Sequence, residues 1–149
     1  MKNKTAILIA LILVLLAILN TACAGSEEAV NVDEITVTFE PENCLYDGPE
    51  VIRQGELTVI FNNLTDSNGT LRIYKLENGK NWQDFVDHYS EKNIGISFPS
   101  WATIQSHKPN IEDPRVMNFS LGPGLYAMQC GEWLEGTFAV WLGSSLEVK

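Results

Sequence analysis

Short stretches of alternating apolar and polar residues, each closed by turn formers, constrain this chain more than any other feature. Ile35-Thr-Val-Thr-Phe39 alternates strictly, as a strand with one face on a core must. Extended character recurs at Glu50-Val-Ile-Arg53, Leu57-Thr-Val-Ile-Phe-Asn62 and Thr70-Leu-Arg-Ile-Tyr-Lys-Leu76. It returns at Val116-Met-Asn-Phe-Ser-Leu121, Gly124-Leu-Tyr-Ala-Met-Gln-Cys130 and Gly136-Thr-Phe-Ala-Val-Trp141. Gln54-Gly55, Thr65-Asp-Ser-Asn-Gly69, Glu77-Asn-Gly79 and Gly122-Pro-Gly124 separate these runs, and their Gly, Asn, Asp and Pro residues favour turns. Pro41 to Pro49 reads as a turn-rich stretch and Ser106 to Pro114 as an exposed loop. Phe98-Pro-Ser-Trp101 reads as an extended segment with a buried aromatic anchor. Strands this short, punctuated this often, predict an all-β antiparallel sandwich.

One segment departs from that rhythm. Trp82, Phe85, Val86 and Tyr89 fall at i, i+3, i+4 and i+7, which makes one apolar stripe of a helix over about residues 81–92. Asn81 suits the N-cap, and Asp84 puts negative charge in the first turn, where the helix dipole favours it. The stripe is read as a face that covers one end of the sheets.

The N-terminus has a different job. Lys2 and Lys4 precede an unbroken apolar run from Ala6 to Leu19, and Asn20-Thr-Ala-Cys23 follows with small residues. The run falls short of the roughly 20 apolar residues a spanning helix needs, so residues 1–22 read as a secretory signal. Residues 23–33 have no apolar periodicity and read as a tether, which leaves residues 34–149 as one domain. Lys2 and Lys4 leave with the signal, so the mature charge falls from −9 to −11, that is, eight basic residues against nineteen acids. A surface this acidic disfavours nucleic acid as a partner. An exported chain also lies in an oxidising compartment, where, with Cys23 set aside, Cys44 and Cys130 remain as an even pair.

Thr21-Ala22-Cys23 resembles the lipobox of bacterial lipoproteins, with Asn20 in the slot where that motif prefers an aliphatic residue. The resemblance implies a lipid-modified Cys23 and a membrane contact through that lipid, at the outer face of a bacterial cell membrane.

The segment from Gly122 to Cys130 resembles the strand that delivers the copper-binding cysteine of plastocyanin-like cupredoxins, and Ile60-Phe-Asn-Asn-Leu-Thr-Asp-Ser-Asn68 resembles the segment presenting their first histidine. The resemblance implies a Greek-key β-sandwich over roughly Ile35 to Lys149. It also implies where copper ligands would lie. The first histidine falls on Asn68, the thiolate on Cys130, the second histidine near Trp133 in the C-terminal loop, and the axial methionine near Phe138. A type 1 site needs two imidazoles and a thiolate, usually with a weak axial Met, so three of the four positions have lost their ligand. The resemblance further implies that Cys44 and Cys130 pair as a disulfide, which would remove the thiolate.

The leading expectation is therefore a non-catalytic, copper-less envelope lipoprotein that binds a protein or small-molecule partner and carries no cofactor. The competing expectation keeps Cys130 as a thiolate and recruits His88 or His107 for copper handling or electron transfer. The chain contains no Ser-His-Asp set, phosphate loop or His-Glu-x-x-His. Glu132 and Glu135 flank Trp133, but acids are too common here to mark a catalytic pair.

Overall fold

The computed structural model describes residues 29–92, 98–105 and 114–149. The expected signal, Cys23 and His107 lie outside the described residues.

Nine strands and one helix make up the described domain: β1 (Glu34–Glu40), β2 (Asn43–Asp47), β3 (Val51–Ile52), β4 (Gly55–Asn63), β5 (Thr70–Leu76), α1 (Trp82–Lys92), β6 (Ala102–Gln105), β7 (Arg115–Leu121), β8 (Gly124–Leu134) and β9 (Thr137–Val148). They form a four-stranded sheet in the order β2-β1-β4-β7 and a five-stranded sheet in the order β3-β9-β8-β5-β6. The chain changes sheet after β2, β3, β4, β6 and β7, which gives the Greek-key, cupredoxin-like sandwich implied by the resemblance. The sheets are mixed rather than purely antiparallel, since β1 runs parallel to β4 and β3 parallel to β9. Each parallel pair joins strands whose connection passes through the opposite sheet, and no tight hairpin can do that.

Alternation decides the core. Ile35, Val37 and Phe39 of β1 point inward with Leu57, Val59 and Phe61 of β4 and Met117, Phe119 and Leu121 of β7. From the other sheet come Ile73, Tyr126, Met128, Cys130 and Leu146. Burying an aromatic or aliphatic side chain of this kind contributes about 1.5–3 kcal/mol, so this interior is the main source of stability.

The two sheets differ on their outer faces. The four-stranded sheet shows polar residues such as Thr38, Thr58 and Asn118 outward, and Thr58 Oγ1 donates to Asn118 Oδ1 at 3.0 Å. The five-stranded sheet is covered by α1, whose Phe85 and Tyr89 pack on Tyr74, Leu76 and Ala127. The helix therefore lies over a sheet face rather than at an end of the sandwich. β8 is consequently buried on both sides from Tyr126 to Glu132, which explains why it reads as a continuous run. Beneath the helix, the buried Tyr74 hydroxyl donates to Gln129 Oε1 at 3.0 Å, and burial pushes its ionisation far above the ordinary tyrosine range.

Asn81 caps α1 reciprocally. The Asp84 N–H donates to Asn81 Oδ1 at 3.2 Å, and the Asn81 N–H donates to Asp84 Oδ2 at 2.9 Å. Lys80 Nζ lies 2.8 Å from Asp84 Oδ1, and this ammonium, with the Asn81 N–H, lowers the Asp84 pKa.

Two local expectations change. Residues 29–33, read as the end of the tether, dock on the domain: the Arg53 N–H donates to Val30 O at 3.0 Å and the Thr58 N–H to Asp33 O at 2.8 Å. Val32 packs against the core. The turn-rich stretch around Cys44 contains β2, an edge strand folded back on β1 with Phe39 opposite Cys44. Its polar residues Asn43 and Asp47 hide it from the alternation pattern, while Glu42 makes the hairpin turn at φ 67°.

Candidate functional site

The four positions aligned with copper ligands do not converge. Cys130 is fully buried between the sheets, and its sulfur is bonded to Cys44 of β2 across the sandwich. Trp133 lies three residues further along the same strand, so the two-residue period of a strand sends it to the opposite face. The expected C-terminal loop is instead a continuous hairpin, in which Trp133 pairs directly with Phe138 and Leu134 with Thr137. Only Glu135 and Gly136 form the turn, with φ of 48° and 85°, the left-handed pair that a two-residue hairpin loop demands.

Phe138 is buried on the outer face of the five-stranded sheet. Its ring lies against Gly131, where an added Cβ would come within 2.6 Å of it. The Arg72 guanidinium lies 4.2 Å from its centroid on the outer face, and Phe98 flanks the same guanidinium at 5.0 Å. Trp133 rests edge-on against Phe138 with ring centroids 5.4 Å apart, yet is 61 % exposed. Phe138 thus serves as a support for the Trp133 ring.

Asn68 lies across a cleft from Trp133. The β4–β5 loop supplies Asn63, Thr65, Asp66, Ser67 and Asn68, and with Trp133 these residues line a cleft of about 550 Å³. The loop alternates. Asn63, Thr65 and Ser67 turn inward and bond to one another: Asn63 Nδ2 donates to Ser67 O at 2.6 Å, and Thr65 Oγ1 donates to Asn63 Oδ1 at 2.9 Å. Ser67 Oγ donates to the buried Glu132 carboxylate of β8, which ties the loop to the opposite sheet. Arg115 NH1 donates to Gly69 O at 2.7 Å and closes the base. Gly69 permits the close approach, because a Cβ there would meet Asn63 Oδ1 and the Phe39 ring at 2.6 Å.

Asp66 and Asn68 turn outward with Leu64. Neither polar side chain has a hydrogen-bond partner among the described residues, and both are exposed. The loop therefore has an inner set that fixes its shape and an outer set exposed to solvent.

This donor set does not fit a type 1 copper ion. An amide at Asn68, an indole at Trp133 and a phenyl ring at Phe138 replace imidazoles and thioether, and the Cys130 sulfur is in a disulfide. His88, the alternative ligand within the described residues, sits on α1 against Tyr89 and Trp101, with ring centroids at 5.1 and 6.1 Å. Among the described residues no group of three His, Cys, Asp or Glu side chains is gathered closely enough to hold a metal. No described helix is long and apolar enough to cross a membrane.

Of the tryptophans, Trp141 packs on Phe39 at 5.3 Å and Trp101 on Phe85 at 6.5 Å, both half-buried. Trp133 is the one left to solvent. Sequence reasoning singles it out as a lost ligand and places Asn68 beside it, but passes over Asp66 and the inner network of the loop. A run of small polar residues carries no periodic signal that separates inward from outward side chains.

No protein-family model matches the chain, and no curated protein matches it. Among solved structures, it is similar to dithionite-reduced auracyanin from the photosynthetic bacterium Roseiflexus castenholzii, with a TM-score of 0.41 and 19 % sequence identity over 77 % of this chain and 99 % of that one.

Proposed function

We propose that this chain is an exported, lipid-anchored and non-catalytic binding module whose cupredoxin-like sandwich works without type 1 copper. The observation that carries the reading is the Cys44–Cys130 disulfide, because a sulfur bonded to sulfur offers copper no thiolate. The replacement of both histidine positions by Asn68 and Trp133 supports it independently. In this reading Cys23 carries the lipid, residues 24–28 hold the domain off the membrane, and the cleft between Asn68 and Trp133 faces the partner. The acidic surface keeps the anchored domain away from anionic headgroups.

Copper titration of the purified protein tests the central part. A copper-less sandwich develops no intense visible thiolate-to-copper absorption, with or without prior reduction. A strong band after reduction, lost in Cys130→Ser, would establish the competing copper-handling function. Membrane fractionation tests the anchor: the wild-type chain stays with the membrane after salt washing, and Cys23→Ser is released.

A further inference from the structure

The cleft between the β4–β5 loop and the β8–β9 hairpin has a chemistry specific enough to name a ligand class. We infer that it binds a neutral pyranose of a glycan, stacked on the Trp133 indole and hydrogen-bonded by Asp66 and Asn68. The inference deepens the binding-module reading and rests on it.

Three observations converge. Trp133 presents a flat, largely apolar indole to solvent at 61 % exposure, in a chain whose other aromatic side chains are mostly buried. A pyranose has one face of axial C–H groups that covers such a ring, while its equatorial hydroxyls point outward in the ring plane. Asp66 and Asn68 stand beside that platform on the outward-turned positions of the loop, without partners among the described residues. A carboxylate accepts from two neighbouring hydroxyls, and an amide both donates and accepts, which matches the mixed character of a hydroxyl pair. Polar side chains around a single aromatic ring make the cleft more polar than most small-molecule sites, which suits a ligand that is itself mostly hydroxylated.

The site is also pre-shaped, so ordering costs little on binding. The Asn63–Thr65–Ser67 network, tied to Glu132, holds the loop, and Phe138 backed by Arg72 holds the indole. Other ligand classes fit less well. An anion would meet Asp66 and a strongly acidic surface. A quaternary ammonium calls for several aromatic faces around the cation, and among the described residues only Trp133 lends this cleft a ring.

Indole ¹H–¹⁵N resonances of the full chain provide the test, in polyoxyethylene micelles that carry neither sugar nor ammonium groups. The four tryptophan indoles are observed while cellotriose, maltotriose, chitotriose and choline are titrated separately. The Trp133 resonance, identified by its loss in Trp133→Ala, moves saturably with at least one of the three sugars. Measured by isothermal titration calorimetry with the same sugar, Trp133→Ala weakens that binding at least about tenfold, and Asp66→Asn or Asn68→Ala about three- to tenfold, in line with one lost stacking or polar contact. Absence of any shift with all three sugars, shifts unchanged by Asp66→Asn, or saturation by choline alone would overturn the glycan assignment. None of those results touches the copper titration, so the binding-module reading fails or survives separately.

Discussion

Cys130 and Trp133 stand three residues apart on one strand and have opposite surroundings. Cys130 is fully buried, locked to β2 by a disulfide and packed among Phe39, Met128 and Trp141. Trp133 is 61 % exposed at the rim of a polar cleft. The strand's two-residue period, rather than any difference in local sequence, separates them. In a copper site these positions would have to meet at one ion. Here alternation and an extended hairpin pull them to opposite faces. The region around Cys130 holds the sheets together, and the region around Trp133 is left open to solvent.

Mutations in the two regions should have very unequal consequences. The largest loss comes from the double substitution Cys44→Ala and Cys130→Ala. The cysteines are 86 residues apart, and a loop of that length is worth about 4–5 kcal/mol by the chain-entropy model. Denaturant unfolding followed by far-UV circular dichroism checks it, and the wild type should lose as much under reducing conditions. A midpoint unchanged by reduction would show that the sheets do not depend on the staple.

Gly131→Ala stands at the border of the two regions and has the next largest effect. Its Cβ would come within 2.6 Å of the Phe138 ring and 2.9 Å of Ala139 O, and overpacking of this kind costs about 1–3 kcal/mol. Because the displaced ring supports Trp133, the Trp133 indole resonance should move as well. An unshifted indole would sever the proposed link between Phe138 and the cleft.

Alkali acts on the closed region more gently. The half-buried Tyr46 hydroxyl of β2 donates to Pro49 O at 2.6 Å, and its pKa is raised by burial, then by Asp47 and Glu50, to about 12. A raised folded pKa means the neutral form is favoured in the folded state, so its contribution is complete below the ordinary value of 10.0 and is lost as pH rises towards about 12. Unfolding midpoints measured across that window, alongside tyrosinate absorbance, should fall for wild type and stay flatter for Tyr46→Phe. The smallest effect belongs to Trp133→Ala, whose exposed ring should change stability by no more than about 0.5 kcal/mol while removing the platform of the cleft.

Much of this division is legible in the sequence alone. The alternation of Ile35 to Phe39 marks a strand the structure contains, and the Trp82–Phe85–Val86–Tyr89 stripe with its Asn81 cap marks α1 almost to the residue. Those signals are strong because burial on one face imposes a period. β2 escapes such reading because an edge strand with polar residues at both ends shows no period, and β6 because it is four residues long and half exposed. The mixed pairing is invisible, since parallel partners such as β1 and β4 are chosen by the path of the whole chain. At the candidate site, Asn68 and Trp133 emerge from alignment with lost ligands. Their separation from Cys130 depends on an unbroken hairpin where a loop is expected, and the Glu135-Gly136 turn is the local signal for it.

The division between the two regions rests on the state of one sulfur. Alkylating the denatured, unreduced protein with iodoacetamide and mapping Cys44 and Cys130 by mass spectrometry measures it directly. Neither cysteine should be modified until a reductant is added, and one disulfide-linked peptide pair should contain both. Two alkylated cysteines in the unreduced protein would return Cys130 to the pool of metal ligands and contradict the separation of the buried staple from the open cleft.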